Sequence, residues 1–211
     1  MATIKVLLVD DHAIVREGYR RLLEEEPSIR VVGDATDARQ ACERALALAP
    51  DVVVMDIALP GTSGIEATRR MLKELPQLRV LMFSMYDEAI YASRALEAGA
   101  LGYMSKASAP EVLVQAVYAV SRGERYVSPD VATNMARSAA QPGISGIEAL
   151  TPREFEVLRL LAQGETVRSI SERLGLSEKT VANQQSVIRE KLGARNSAQL
   201  ARLVAQFGLA R

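Results

Sequence analysis

The sequence predicts an α/β domain on a five-stranded parallel, doubly wound sheet, followed by an all-α domain of four helices. Three observations carry this reading. Five short, near-continuous apolar runs recur in the first 121 residues, with helical spacing between them. That is the pattern of parallel strands covered on both faces. The last 64 residues hold helical signals only. Between the two lies a stretch punctuated by Ser, Pro and Gly.

The elements follow in order. Lys5 to Val9 is an apolar run that stops at Asp10-Asp11. Ile29 to Val32, Val52 to Met55, Val80 to Phe83 and Leu101 to Met104 are the other four expected strands. Ile14, Tyr19, Leu22 and Leu23 mark the first helix, and Val112, Leu113, Ala116, Val117 and Val120 the fifth. Arg122-Gly123-Glu124-Arg125 closes that helix. Ser128 as N-cap with Pro129 in the first turn starts a short helix to about Ser138. Ala139 to Gly146 reads as a flexible linker. The expected division is therefore 1–121, a linker with a short helix over 122–147, and 148–211. In the last part Thr151 and Glu154 form a capping box before Phe155, Val157, Leu158, Leu160 and Leu161. Ile170 and Leu174 lie on a second helix ending at Gly175. Ser177 caps a third that runs to about Leu192, and Asn196 or Ser197 begins a fourth.

Composition is that of an ordinary globular chain: 48% hydrophobic and 25% charged residues among 211. Aromatics make up only 4% and there is no Trp, so Leu, Val, Ile, Ala and Met must fill the cores. Cys42 is the single cysteine and reads as a packed helix residue. With no cysteine pair and no Cys/His cluster, a reducing, cytoplasmic location is expected. No signal peptide is apparent, and no apolar run approaches the ~20 residues that span a bilayer. The net charge is zero, but it is unevenly distributed. Residues 1–121 carry 13 Lys and Arg against 17 Asp and Glu, and residues 148–211 carry 10 against 7. An acidic front and a basic rear suggest different ligands for the two parts.

Ligands of open α/β sheets bind at the carboxyl ends of the strands, near the switch in strand order. Asp10 and Asp11 follow the first expected strand, Asp56 the third, Ser84 the fourth and Lys106 the fifth. Singly, each of these reads as a turn or cap residue. Together they converge on one sheet edge although up to 96 positions apart in sequence. Clustered carboxylates repel unless a cation offsets them, and Mg²⁺ takes oxygen donors of this kind. A carboxylate is also a competent phosphoryl acceptor. Lys106 and the Ser84 hydroxyl could hold phosphoryl oxygens. Neither a P-loop nor a G-x-G-x-x-G motif is present, so the site lacks a nucleotide pocket. His12, the only histidine, sits beside this edge with no necessary chemical task.

Val9-Asp10-Asp11-His12, Met55 through Gly61, Phe83-Ser84 and Ser105-Lys106 resemble the receiver domains of two-component systems, in order and spacing, across residues 4–121. The resemblance implies a flavodoxin- or CheY-like fold. It implies Asp56 as phosphoacceptor, loaded by a sensor histidine kinase. It implies Mg²⁺ held by Asp10, Asp11, Asp56 and the Ala58 backbone carbonyl. Ser84 and Lys106 would contact the phosphoryl group, and Tyr103 matches the aromatic that rotates when Ser84 moves. An aspartyl-phosphate phosphatase is the competing enzyme reading, but Ala58 stands where its acid/base would be. The expectation is a non-enzymatic regulator with slow self-dephosphorylation only.

A tight Gly175 turn between two helices fits a helix-turn-helix. Residues 150–200, from Leu150-Thr151-Pro152-Arg153-Glu154 to Lys191-Leu192-Gly193, resemble the LuxR-type helix-turn-helix. Joined to a receiver, this is the layout of NarL/FixJ-type response regulators. The third helix would enter the major groove. The resemblance places Thr180 and Gln184 at backbone-contacting positions and Ala182, Asn183 and Ser186 toward the bases. Lys179, Arg189 and Arg168 would contact phosphates. Relatives often carry Lys or Arg at position 182 and His at 184. Here Ala182 and Gln184 replace them, which weakens the electrostatic attraction to DNA. The expected function is phosphorylation-switched, sequence-specific DNA binding that regulates transcription, with homodimerisation on activation. The alternative is a receiver-controlled protein-interaction adaptor with weak or no DNA binding.

Overall fold

The structure, a computed structural model, describes residues 3–87, 89–139 and 149–206. Of the linker expected over 139–146, Ala139 instead ends a helix, and residues 140–146 lie outside the described residues. The chain divides into two compact units, residues 1–140 and 141–211.

The first unit is a parallel α/β sheet. Its strands are β1 (Ile4–Val9), β2 (Ile29–Ala35), β3 (Val52–Met55), β4 (Arg79–Ser84), β5 (Gly102–Ser105) and β6 (Tyr126–Val127). They lie in the order β2-β1-β3-β4-β5-β6, and every pair is parallel. The helices are α1 (Ala13–Glu24), α2 (Ala38–Leu48), α3 (Gly64–Glu74), α4 (Ala89–Glu97), α5 (Pro110–Ser121) and α6 (Pro129–Ala139). One correction concerns strand number: the sheet has six strands, not five. Tyr126 and Val127 make too short a run to signal a strand. They become one because the open edge of β5 offers them partners: Leu101 accepts from the Tyr126 N–H, and Tyr103 from the Ser128 N–H. A β-edge left without partners is costly to bury.

Strand residues alternate between two cores. On one face Val6, Leu8, Val52, Val54, Leu81 and Phe83 pack with Leu23 of α1 and with Leu113, Ala116, Val117 and Val120 of α5. On the other, Leu7, Val53, Met55, Val80 and Met82 are fully buried on the side of α2, α3 and α4. Cys42 is half-buried on α2, and burial pushes its thiol pKa up.

The second unit holds α7 (Pro152–Ala162), α8 (Val167–Leu174), α9 (Glu178–Lys191) and α10 (Ser197–Gln206). The capping box forms as expected: Thr151 Oγ1 accepts from the Glu154 N–H, and Glu154 accepts from the Thr151 N–H at 2.7 Å. Such a cap contributes about 1 kcal/mol. Thr166 and Ser177 cap α8 and α9 in the same way. Asn196 caps α10 through its side-chain oxygen, on the Gln199 N–H at 2.9 Å. Gly175 closes α8 at φ +63°, a left-handed turn that glycine makes without strain. Phe155, Val157, Leu158, Leu160, Ile170, Leu174, Val181, Ile188 and Leu200 form the core.

Candidate functional site

Three strand ends and one loop build an acidic pocket at the carboxyl edge of the sheet. The strand order turns back between β1 and β3, which opens the crevice there. Asp10 follows β1 and Asp56 follows β3; both are buried, at 6% and 4% exposure. Lys106, directly after β5, bridges them. Its Nζ lies 2.5 Å from Asp10 Oδ2 and 2.6 Å from Asp56 Oδ2. The Phe83 ring lies 5.8 Å from the same nitrogen. Burial alone would lower the Lys106 pKa, but the charge of Asp56 and the hydrogen bonds to both carboxylates hold it above the ordinary value. Burial raises the Asp56 pKa and outweighs the pull of the ammonium it shares with Asp10.

Asp11 lies at the outer lip of the pocket, and His12 is largely exposed beside it. His12 Nδ1 is 2.7 Å from Asp11 Oδ1, and its N–H donates to Asp10 Oδ1 at 2.7 Å. Asp10, Asp11 and His12 each offer a ligand atom, all within 4.8 Å of one another. Asp56 is outside that group and is held by Lys106. The Ala58 N–H donates to Asp56 Oδ1 at 3.2 Å. The oxygen-rich donor set fits a hard divalent cation.

Ser84 ends β4 and Tyr103 lies on β5, and both bond to Tyr86 in the loop after β4. The fully buried Ser84 Oγ accepts from the Tyr86 N–H at 3.3 Å. Tyr103, also fully buried, donates its hydroxyl to the Tyr86 carbonyl at 2.6 Å. Tyr86 in turn stacks on Tyr91. The loop after β4 is thus held on both sides of one residue.

Two supports escaped the sequence reading. Arg16 donates to the Asp10 carbonyl at 2.6 Å and pairs with Asp34 at the end of β2. Its position one turn into α1, after His12, was the available signal. Gly64 opens α3 against the backbone just after β3: a Cβ there would sit 1.8 Å from the Asp56 carbonyl oxygen. A glycine at a helix start, eight positions after an Asp, carries no such message by itself.

In the second unit α9 turns Val181 and Ile188 inward, so Val181 is a core residue. Lys179, Ala182, Asn183 and Ser186 are exposed on the other side, and Arg189 is half-buried. Thr180 is engaged in the cap, 2.8 Å from Ser177 Oγ. Ser186 donates to the Ala182 carbonyl, and Arg189 donates to Ser186. Arg168 is exposed and paired with Glu172. Gln184 is half-buried, and its Oε1 is buried with no hydrogen-bond partner among the described residues.

The fold and the pocket define an α/β domain with an acidic pocket at its switch point, followed by a helix-turn-helix domain. Residues 6–118 match the response regulator receiver domain, and residues 148–204 match the luxR family of bacterial regulatory proteins. The response regulator GacA of Pseudomonas syringae pv. syringae is 38% identical over 208 residues, covering 98% of this chain and 97% of that one. The response regulator UvrY of Escherichia coli (strain K12) is likewise 38% identical, over 98% of this chain and 95% of its own. A solved structure of RcsB from Salmonella enterica serovar Typhimurium, bound to promoter P1flhDC with the phosphomimetic BeF3-, has a TM-score of 0.71 at 29% identity. It covers 97% of this chain and 99% of that one. The chain belongs to the NarL/FixJ-type response regulators, with a CheY-like receiver domain and a LuxR-type DNA-binding domain. These are transcription regulators, not enzymes. No helix among the described residues is long and apolar enough to cross a membrane.

Proposed function

We propose that Asp56 accepts a phosphoryl group from a sensor histidine kinase in the cytoplasm and that this switches DNA binding by α9. The observation that carries it is the buried Asp10–Lys106–Asp56 bridge at the sheet's switch point. A carboxylate oxygen of Asp56 attacks phosphorus, the bond to the donor imidazole breaks, and the imidazole takes up a proton. Asp10, Asp11, Asp56 and the Ala58 carbonyl would hold Mg²⁺. When bound, the ion offsets the negative charge that gathers at the acceptor. Lys106 keeps its charge between two carboxylates, so it is ready to take phosphoryl oxygens in place of Asp56 Oδ2. Ser84 would turn its hydroxyl to the same oxygens and release the Tyr86 N–H. Tyr103, bonded to Tyr86, moves with that loop.

The functional boundaries are those drawn from the sequence: receiver over 1–121, linker over 122–147, DNA-binding domain over 148–211. On α9, exposed Ala182, Asn183 and Ser186 face bases. Thr180 and Gln184 lie along the DNA backbone, and Lys179, Arg189 and Arg168 bind phosphates. The active form is a homodimer on double-stranded DNA.

Incubation with labelled acetyl phosphate and Mg²⁺ tests the acceptor. Wild type is labelled and Asp56→Asn is not; equal labelling of the variant would falsify the assignment. The buried Gln184 oxygen favours one other reading, an adaptor with little DNA affinity. If the phosphorylated protein forms no specific complex with any member of a random duplex library, that reading replaces DNA binding.

A further inference from the structure

Helix α6 is tied to both loops that carry the candidate site. Its root is β6, paired to the edge of β5, with the Ser128 N–H on the Tyr103 carbonyl at 3.1 Å. Val131 is fully buried, and α6 packs on α4 and β5. Two tethers leave one face of the helix, four residues apart. Asp130 accepts from the Ser108 hydroxyl at 3.2 and 3.3 Å, two residues beyond Lys106. Asn134 donates its amide to the Asp87 carbonyl at 3.0 Å, one residue beyond Tyr86. Tyr86 is the residue held by Ser84 and Tyr103.

We propose that α6 is a strap that senses the phosphoryl site directly: it is docked in the unphosphorylated form and released when the two loops move. This rests on the phosphoacceptor reading of Asp56. If Ser84 turns toward a phosphoryl group, the Tyr86–Asp87 segment shifts and the Asn134 bond is lost. If Lys106 follows the phosphoryl oxygens, Ser108 moves with it and the Asp130 bond is lost. Neither tether is stronger than an ordinary hydrogen bond, so both can break within the energy of one switch. The seat is also imperfect. Ser128 Oγ is fully buried at the root with no partner among the described residues, and it regains water on release. Since α6 is the last described element of the first unit, its release frees residues 128–139 from the sheet edge. The coupling is reciprocal, so weakening the strap must strengthen phosphoryl-site binding.

Hydrogen exchange on the full chain, with and without beryllofluoride and Mg²⁺, reads the strap. Backbone amides of 126–139 should exchange about fivefold faster or more when beryllofluoride is bound. The Asp130→Ala, Asn134→Ala double variant should bind beryllofluoride about fivefold tighter than wild type. Arg137→Ala, exposed on the same helix and outside both tethers, should bind like wild type. If wild type binds beryllofluoride while exchange over 126–139 is unchanged, the strap is wrong and the acceptor stands. Unchanged or weaker binding by the double variant likewise overturns the strap alone. If wild type does not bind beryllofluoride, the acceptor reading falls and the strap falls with it.

Discussion

At the scale of single residues, the pocket depends on close approach as much as on charge. Gly64 lets α3 start against the backbone of Asp56 itself. Gly64→Ala puts a Cβ 1.8 Å from the Asp56 carbonyl oxygen, so backbone has to move. The expected cost is about 1–3 kcal/mol of stability, as for other overpacked sites. Chemical denaturation measures it, and acetyl phosphate labelling should fall with it. A small shift with full labelling would show that α3 gives way easily. Glu156 offers a pH test in the second unit. It is 7% exposed, and burial raises its pKa above the ordinary carboxylate value despite Arg159 and Arg153 nearby. A folded form that holds the proton more tightly is favoured at low pH. Its contribution is therefore full below the unfolded carboxylate pKa and declines as pH rises through the folded value. Glu156→Gln should gain stability relative to wild type as pH rises from about 4 to 7 across the ordinary carboxylate range. Parallel pH profiles for the two proteins would rule this out. Asp10, Asp11, Asp56, Ser84 and Lys106 were legible in the sequence because each follows an expected strand. Arg16, Ser108 and Asn134 were not, since their partners are set by how helices and loops pack.

At the scale of elements, strong local signals gave reliable expectations. The capping box at Thr151, the Gly175 turn and the Ser177 cap all depend on residues within a few positions of one another, so the sequence states them fully. β6 had no such signal, because two residues acquire strand character only from the edge of β5. Helix α9 shows both cases. Its inward Val181 and Ile188 follow helical spacing, while the inward Gln184 oxygen does not follow from residue type. The exposed methyl of Ala182 leaves room for a cation on the face proposed to meet DNA. Ala182→Lys should steepen the slope of log affinity against log salt by about 1, as one added phosphate contact does. A fluorescence titration of duplex DNA at several salt concentrations measures the slope. An unaltered slope would place residue 182 off the DNA.

At the scale of the whole molecule, the charge division has a structural counterpart in two units with separate cores. On the proposed function, phosphorylation adds charge in the first unit and the response belongs to the second. Sedimentation should therefore show a monomer without beryllofluoride and a dimer with it. The dimer should prefer half-sites about one helical turn apart. A dimer of equal strength in both conditions would contradict switching through assembly. The sequence by itself determined the α/β-then-helical order, the family resemblance and the polar residues at the strand ends. Those follow from periodicity and from short motifs, which are local properties of a chain. Only the tertiary structure decided that Lys106 bridges Asp10 and Asp56, that Ser84 and Tyr103 both hold Tyr86, and that α6 reaches both loops. Each of these joins groups that are distant in sequence or set by packing, and the distances exist only once the sheet has brought its strand ends to one edge.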